Sequence, residues 1–254
     1  MRVAVLAITR HGIALGGRIV AALPDACLLA PEKFAAEAAA AAPGASRTYA
    51  GRTAAQVPAL FAAFDGIVCV VSLGAVVRLI APLLGDKTRD PAVVVVDEAG
   101  RFAIPVLSGH LGGANALSGR LAAALGATPV LTTASDARQT LAVDLLGREF
   151  GWTLEAEHDT LLRACAAMVN EAPVACVQEA GRTDWWHGHA NGRAGALPAN
   201  LRMLPRLEAV DAALAAAPDA FAAVLWISRR PLPPALAARL AGRLVTFRPP
   251  AEQP

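Results

Sequence analysis

The feature that most constrains the fold of this chain is a series of short, unbroken apolar runs rich in β-branched residues. Runs of this kind lie within residues 2–8, 66–71, 92–96 and 223–228, and longer segments rich in alanine and leucine separate them. A strand with one face in water alternates apolar and polar residues, whereas an unbroken run indicates a strand covered on both faces. Strands that alternate with helices predict right-handed crossovers and a largely parallel open sheet.

The order of these segments predicts two α/β domains. Residues 1–150 are expected to form a Rossmann-like N-terminal domain with an open, mostly parallel sheet. A polar stretch then interrupts the alternation of apolar segments. Residues 151–248 are expected to form a smaller α/β domain, followed by a tail at residues 249–254. A helix is predicted at residues 139–150, just before this boundary.

The high proportion of apolar residues raises the question of a membrane protein, because 55% of the chain is apolar and the mean hydropathy is +0.45. Alanine, which is only weakly apolar, supplies much of this value. The most hydrophobic stretch, residues 67–84, is interrupted by Gly74, Arg78 and Pro82, and a spanning helix needs about 20 largely uncharged residues. The first residues are also too few for a signal peptide. We therefore expect a cytoplasmic protein without a membrane partner.

Charge and cysteine content exclude further classes. The chain has 23 Lys and Arg against 21 Asp and Glu, a net charge of +2, and its arginines are scattered, so no nucleic-acid partner is expected. The cysteines lie in apolar runs without a CxxC pair or the spacing of metal ligands, and no metal site is predicted. They are Cys27, Cys69, Cys165 and Cys176. The oligomeric state leaves no mark on the sequence.

The most specific local feature is a glycine-rich segment at residues 107–115, between a predicted strand and a predicted helix. Its candidate site residues are Ser108, Gly109, His110, Gly112, Gly113 and Asn115. Free N–H groups at a helix start suit an oxygen anion, and a histidine can exchange a proton near neutral pH. The spacing matches neither the GxxxxGK[ST] phosphate loop nor the GxGxxG dinucleotide motif. The alternative is a tight strand-to-helix turn in which the histidine has a structural partner.

A similar strand–glycine–helix unit contains Ser72, Gly74 and Arg78. One interpretation is an ordinary helix cap with Arg78 on a solvated face. The other places this turn beside the glycine-rich segment at the carboxyl edge of one sheet, where ligands bind in open α/β folds. We expect the two turns together to bind a polyanionic ligand.

Two more turns carry polar side chains that could take part in catalysis or binding. Asp97 and Glu98 supply two carboxylates in a predicted hairpin turn before residues 101–107, although most such turns are simply solvated. Thr132 and Thr133 follow a predicted strand and offer hydroxyl groups, and helix N-capping explains them equally well.

The predicted second domain contains an unusual aromatic pair, Trp185 and Trp186, in a chain with 4 Trp. The two rings could form a flat platform for a large ring system, or they could anchor a loop. His187 and His189 follow at the spacing of metal ligands, but no cysteine or acidic cluster completes a set, and surface histidines are favoured.

Taken together, these segments resemble the CbiG family of cobalamin biosynthesis, the cobalt-precorrin-5A hydrolases. The resemblance rests on residues 72–84, 86–100, 107–115 and 127–136 in the first predicted domain and on residues 173–181, 185–186 and 197–200 in the second. Full-length members of the family continue into a third domain after a segment similar to residues 245–250. We therefore expect either that a separate protein supplies this domain or that the activity does not need it.

The resemblance implies that water opens a δ-lactone of cobalt-precorrin-5A and that acetaldehyde is released, giving cobalt-precorrin-5B. The enzyme would be a hydrolase acting on a carbon–carbon bond, with a tetrapyrrole substrate and no protein-bound cofactor, since the cobalt belongs to the substrate. The alternative is a non-catalytic component that binds corrin intermediates, or one part of a split enzyme.

This chemistry assigns expected roles to the candidate residues. His110 is the first candidate for the general base, and Asp97 or Glu98 the second. The N–H groups of Gly112 and Gly113 would stabilise an oxyanion. Ser108 is a further catalytic candidate, and anchors for the carboxylate arms of the substrate are expected at Arg78, Asn115 and Thr133.

Overall fold

The computed structural model describes residues 1–86, 89–187 and 195–251. The chain forms two compact units, Met1–Leu131 and Thr132–Pro254, each built on its own sheet. Within the described ranges no helix has the length and apolar character needed to cross a bilayer. The predicted α/β class with an open, mostly parallel sheet and a second, smaller sheet is confirmed.

The first unit contains a seven-stranded sheet. Its strands are β1 (Val3–Ala7), β2 (Ala26–Pro31), β3 (Ser46–Tyr49), β4 (Gly66–Val70), β5 (Ala92–Val96), β6 (Phe102–Leu107) and β7 (Thr128–Pro129). Their order across the sheet is β3-β2-β1-β4-β5-β6-β7, and the first five run parallel to one another. Every residue of β1, β4 and β5 is buried, as the unbroken apolar runs predict.

Helices cover both faces of this sheet. They are α1 (Arg10–Ala22), α2 (Ala35–Ala41), α3 (Val57–Ala63), α4 (Leu73–Ile80) and α5 (Ala114–Leu125). Alternate residues of each strand face opposite cores: Val5 and Val94 lie in the core with α1 and α5, whereas Leu6 and Val95 lie in the core with α3 and α4. Because successive side chains of a strand point to opposite faces, each strand contributes to both apolar layers.

The direction of β6 decides where the loops of this unit lie. β5 and β6 form the antiparallel hairpin that the sequence predicts, with Val93 opposite Leu107 and Val96 opposite Ala103. The loops after β1, β4 and β5 therefore share the carboxyl edge of the parallel strands, whereas the loop after β6 lies at the opposite edge, beside the start of β5.

The second unit contains a five-stranded sheet. Its strands are β8 (Thr153–Glu155), β9 (Val174–Gln178), β10 (Leu201–Leu204), β11 (Ala223–Ile227) and β12 (Leu244–Arg248), and its helices are α6 (Ala134–Ala137), α7 (His158–Val169), α8 (Leu207–Ala216) and α9 (Pro234–Leu240). The strand order is β10-β9-β11-β12-β8; only β8 runs antiparallel, to its neighbour β12.

The division between the units differs from the predicted boundary at residues 150 and 151. The second unit begins at Thr132. The reason is packing: Leu141, Val143 and Leu146 are buried in the core of the second unit, in the same cluster as Trp152. The polar stretch after Trp152 therefore lies inside the second unit and does not separate the two units.

The helix predicted for residues 139–150 is wrong. The structure has two short 3₁₀ turns there, Val143–Leu145 and Arg148–Phe150. Between them Gly147 adopts a φ of 74°, and a side chain on it would overlap the ring of Trp152. Left-handed backbone at Gly147, and at Gln139 where φ is 52°, is incompatible with one α-helix over this segment.

Candidate functional site

The carboxyl edge of the first sheet brings together the loops after β1, β4 and β5. Thr9 caps α1 by accepting a hydrogen bond of 3.0 Å from the N–H of Gly12, and its hydroxyl donates to the carboxylate of Glu98. Ser72 caps α4 through its carbonyl, and both Ser72 and Gly74 are exposed. Four of the predicted site residues, those of the β4 and β5 loops, therefore lie at this edge.

Asp97 is held by its own hairpin turn. One carboxylate oxygen accepts hydrogen bonds of 2.7 Å from the N–H groups of Arg101 and Phe102, and the other accepts one of 3.1 Å from the Arg101 guanidinium. Partial burial alone would raise the pKa of Asp97, but these donors outweigh it and the pKa is lowered. The structure thus favours a turn anchor over a general base for this residue.

The glycine-rich loop lies at the other edge of the sheet, where β5 begins. The Ser108 hydroxyl donates a 2.9 Å hydrogen bond to the carbonyl of Asp90, two residues before β5. The expectation that this loop and the Ser72 turn share one edge is therefore wrong. The physical reason is the antiparallel direction of β6, which carries the chain back across the sheet before the loop begins.

Close packing shapes this loop. Ser108 adopts a φ of 55°, and Gly113 one of 87°. A Cβ on Gly112 would come within 2.8 Å of the Ser108 carbonyl oxygen and closer still to its Cβ, so only glycine fits at this point. The loop is thus fixed by backbone contacts on both sides of His110, which is half-buried.

Most of the N–H groups at the start of α5 already have acceptors within the loop. The N–H groups of Gly113, Ala114 and Asn115 donate to the carbonyls of His110, Ser108 and Gly109 at 2.9, 3.1 and 3.0 Å. This removes Gly113 from the predicted pair of oxyanion donors. Gly112 is the member of that pair whose N–H has no acceptor within the described ranges.

The loop before β5 brings a carboxylate to the same edge. Asp90 accepts a 3.1 Å hydrogen bond from the N–H of Gly85 through its side chain, and its own N–H donates to the carbonyl of Asp86 at 2.8 Å. Asp90 was not among the predicted site residues. The hydrogen bond from Ser108 to its carbonyl joins this loop to the one that carries His110. In the sequence, Asp86 and Asp90 precede the buried strand β5. This pair points to a site only once the direction of β6 is known, because that direction brings the loop of His110 to the same edge.

Arg78 lies apart from Ser72. It is exposed in the last turn of α4, the end that leads back towards the start of β5. This position fits the alternative of an arginine on a solvated face, and it separates Arg78 from the other residues of the β4 turn.

Thr132 and Thr133 belong to the second unit. Thr133 is the N-cap residue of the one-turn helix α6, and its hydroxyl donates to the carboxylate of Asp136. Thr132 is exposed. The Thr133 side chain makes no capping hydrogen bond to the N–H groups of α6, so the capping alternative does not account for its hydroxyl.

Trp185 and Trp186 are buried in the core of the second unit. Their indole N–H groups donate to the Gln178 side chain at 2.8 Å and to the carbonyl of Gly195 at 3.0 Å, and their rings meet edge to face at 6.3 Å. The cavity beside them measures about 20 Å³, room for little more than one water molecule. This geometry corrects the platform interpretation and favours loop anchoring. The companion metal hypothesis includes His189, which lies outside the described residues.

The carboxyl edge of the second sheet holds a polar cluster that the sequence reasoning missed. Glu179 accepts hydrogen bonds of 3.1 Å from the Trp226 indole and 3.0 Å from the Arg230 guanidinium, and Arg248 donates to the carbonyl of Ser228 at 3.0 Å. Burial alone would raise the pKa of Glu179, but Arg230, Ser228 and Trp226 together lower it. The cluster ties the ends of β9, β11 and β12 together.

Two family models match the chain. The model described as cobalamin synthesis G N-terminal covers residues 55–136, and the one described as cobalamin biosynthesis central region covers residues 141–249. The matches leave only four residues between them, and the second begins within the segment that packs with Trp152.

Curated relatives agree with these matches. A cobalt-precorrin-5A hydrolase from Priestia megaterium is 41% identical over 217 residues, which are 85% of this chain and 55% of the relative. One from Salmonella typhimurium is 35% identical over 215 residues, 82% of this chain and 57% of the relative. A solved structure from Sulfolobus solfataricus, described as a homolog of cobalamin biosynthesis protein G, covers 98% of this chain at 18% identity with a TM-score of 0.49. The chain spans about half the length of the curated relatives it matches.

Proposed function

The chain belongs to the CbiG family of cobalamin biosynthesis, and on that premise we propose that it acts in corrin-ring synthesis as a cobalt-precorrin-5A hydrolase. The observation that carries the proposal is the 41% identity to the Priestia megaterium hydrolase across 85% of this chain. The proposal includes a tetrapyrrole substrate that brings its own cobalt, no resident cofactor, and a cytoplasmic location.

The proposed reaction has two stages. Water first adds to the carbonyl carbon of the δ-lactone, and the ring C–O bond breaks to leave a carboxylate and a secondary alcohol. The alcohol then loses its proton, the adjacent carbon–carbon bond breaks, and acetaldehyde leaves while its electron pair stays on the macrocycle and is protonated there. One water is consumed, and both stages need a base.

His110 is the residue we propose for that base. It lies half-buried in a loop fixed by Gly112 and by the hydrogen bond from Ser108 to Asp90, and a general base contributes about 10²–10⁴ to the rate. Asp97 and Glu98 lie at the opposite edge and are engaged with Arg101 and Thr9. The hydroxyl of Ser108 is similarly committed to the backbone, which supports a role in shaping the loop.

The Gly112 N–H is the donor we propose for the oxyanion that forms when water adds to the lactone. It lies in the same loop as His110, and the neighbouring N–H groups of Gly113 and Ala114 are already bonded within the loop. An oxyanion-hole donor is worth about 10²–10³ in rate. The proposed site thus pairs one base with one backbone donor at the edge where β5 begins.

The direct test is to incubate the purified chain with cobalt-precorrin-5A and to measure acetaldehyde and the mass of the corrin product. We expect one acetaldehyde for each lactone opened. A parallel reaction supplies the remaining portion of a longer relative as a separate polypeptide. Failure to release acetaldehyde in both reactions contradicts the proposal, and binding without release would identify a component that only holds the intermediate.

The role of His110 is tested with His110→Gln. We expect kcat to fall by about 10²-fold or more, and this loss of turnover should be far larger than any loss of stability. The matched control is His158→Gln, at an exposed position at the start of α7. Unchanged turnover in His110→Gln would remove this residue from the mechanism.

A further inference from the structure

The second unit contains a cavity of about 560 Å³ that no predicted site residue lines. Its walls carry the polar side chains of Arg138, Gln139, Glu171 and Asn200, with Met168 and Pro198 among the apolar ones. This volume falls within the range of small-molecule sites. The lining is mixed, because Thr140 is also polar and the remaining lining residues are apolar.

Two helices end at this cavity, and each ends with an unusual residue. Gln139 follows α6 with a φ of 52°, and Glu171 follows α7 with a φ of 60°. The N–H groups that come next close both helix ends, from Thr140 to the Ser135 carbonyl and from Ala172 to the Ala167 carbonyl, each at 3.0 Å. Glycine is the usual residue at this left-handed position. Here both positions carry long polar side chains, and both line the same cavity.

Arg138, the cation among the described residues of the wall, can accept a new partner. Arg138 contacts Glu171 through a single nitrogen, Nη1 to Oε1 at 3.2 Å, with side chains 59% and 73% exposed. An exposed pair of this kind holds its partners weakly. A guanidinium can bind a carboxylate through two parallel hydrogen bonds, so an incoming carboxylate can replace the single contact with Glu171.

Asn200 fixes another part of the wall. Its amide nitrogen donates a 2.9 Å hydrogen bond to the carbonyl of Ala172, the residue that follows Glu171. This bond joins the loop before β10 to the end of α7. Met168 is fully buried against the same asparagine, with its sulfur 3.9 Å from the amide nitrogen. The wall of the cavity therefore includes a fixed amide and a packed thioether as well as the guanidinium of Arg138.

We propose that this cavity is a subsite for a carboxylate arm of the corrin substrate, with Arg138 as the residue that binds the arm and Glu171 as the carboxylate that occupies the guanidinium until the arm arrives. The inference rests on the proposed function for the identity of the ligand. In this exchange the carboxylate of the substrate arm replaces that of Glu171 on the guanidinium of Arg138.

The exchange predicts opposite effects for its two partners. Arg138→Gln should weaken the binding of a corrin with free carboxylate arms by about tenfold, since a charged hydrogen-bonded contact is lost. Glu171→Gln should strengthen it by a few-fold, because the competing carboxylate is gone. The matched controls are Arg182→Gln and Asp184→Asn, an exposed ion pair of the same unit that lies outside the cavity wall; we expect neither to change binding.

The measurement is titration calorimetry with a non-reactive corrin that carries free carboxylate arms and with the same ring after amidation of the arms. We expect the wild-type protein to prefer the first ligand and Arg138→Gln to lose that preference. As a second probe, Ala199→Leu narrows the cavity from an exposed wall position and should weaken both ligands. Equal binding by wild type and Arg138→Gln, or no binding of the carboxylated ring by the wild type, overturns the inference.

Acetaldehyde release tests the proposed function, whereas the dependence of corrin binding on Arg138 tests the subsite. Release of acetaldehyde by a protein whose corrin binding does not depend on Arg138 keeps the function and removes the subsite. Binding that depends on Arg138 in a protein that releases no acetaldehyde keeps the subsite and removes the function.

Discussion

At the scale of single residues, Gly74 and Gly112 occupy similar strand-to-helix turns of the first unit but differ in how closely they are packed. A side chain on Gly112 would press into the backbone of Ser108, whereas Gly74 has no atom within 4 Å of where its Cβ would lie. The sequence places both residues in glycine-containing turns and does not distinguish them. Only the packing around each Cβ shows which glycine is required.

We predict that Gly112→Ala lowers the free energy of unfolding by about 1–3 kcal/mol, because the turn must move to admit a methyl group. Gly74→Ala serves as the control and should be neutral or stabilising by up to about 1 kcal/mol, since alanine is the better residue in a helix. Urea unfolding followed by circular dichroism measures both. Equal stability of the two variants would contradict the close packing at Gly112.

The Glu179 cluster leads to a prediction about pH. Because Arg230, Ser228 and Trp226 lower the pKa of this carboxyl below its ordinary value of 4.5, its stabilisation is complete above that pH and is lost as the pH falls through the lowered pKa. We expect Glu179→Gln to cost about 1 kcal/mol at pH 7, and the difference from wild type to shrink below pH 4.5. Thermal unfolding across this range checks the sign.

The control for this experiment is Glu157→Gln, at an exposed position just before α7. It should leave the stability nearly unchanged at both ends of the pH range. A loss of stability in Glu179→Gln that stays the same below pH 4.5 would show that shape, and not charge, explains the effect.

At the scale of elements, sequence patterns were most informative where strands are buried on both faces. The runs that became β1, β4 and β5 were located to within about two residues, because an unbroken β-branched run has few other uses in a folded chain. β3 and α2 were missed. β3 is polar and half exposed, and α2 is built almost entirely of alanine, so neither shows the expected pattern.

Strand direction limited the prediction of the site. The predicted hairpin of β5 and β6 is confirmed, and its antiparallel direction places the loop after β6 at the edge where β5 begins. Residues at the ends of parallel strands converge, whereas one antiparallel strand moves its loop to the opposite edge. The sequence therefore predicts which residue types form the site. Which of them lie at the same edge depends on the direction of one strand pair, β5 and β6.

The turn of this hairpin supplies a prediction at the same scale. Asp97→Ala leaves the N–H groups of Arg101 and Phe102 without their acceptor, and we expect a loss of about 1–2 kcal/mol in the free energy of unfolding. Faster amide hydrogen exchange at these two residues would locate the effect in the turn. Glu98→Ala, at the exposed neighbouring position, should change stability by less than about 0.5 kcal/mol.

At the scale of the whole molecule, the division into two units follows from which core the connecting residues enter. Leu141, Val143 and Leu146 precede the predicted boundary in sequence, yet they are buried with Trp152 and with the strands of the second unit. Composition indicated a boundary at the polar stretch that follows Trp152, because polar segments often join domains. Burial of three aliphatic side chains outweighs that signal, since each contributes about 1.5–3 kcal/mol.

The two boundaries predict different behaviour for two fragments of the second unit. A fragment of residues 132–254 retains all three aliphatic side chains and should unfold cooperatively in urea. A fragment of residues 151–254 lacks them and exposes the face of α7 and Trp152 that they cover. Because a small domain is stable by only about 5–15 kcal/mol, this loss should leave the shorter fragment unfolded or without a cooperative transition. Circular dichroism and tryptophan fluorescence during unfolding compare the two. If the shorter fragment unfolds cooperatively at the same urea concentration as the longer one, the boundary lies at residue 150, and residues 132–150 are a linker that the second core does not need.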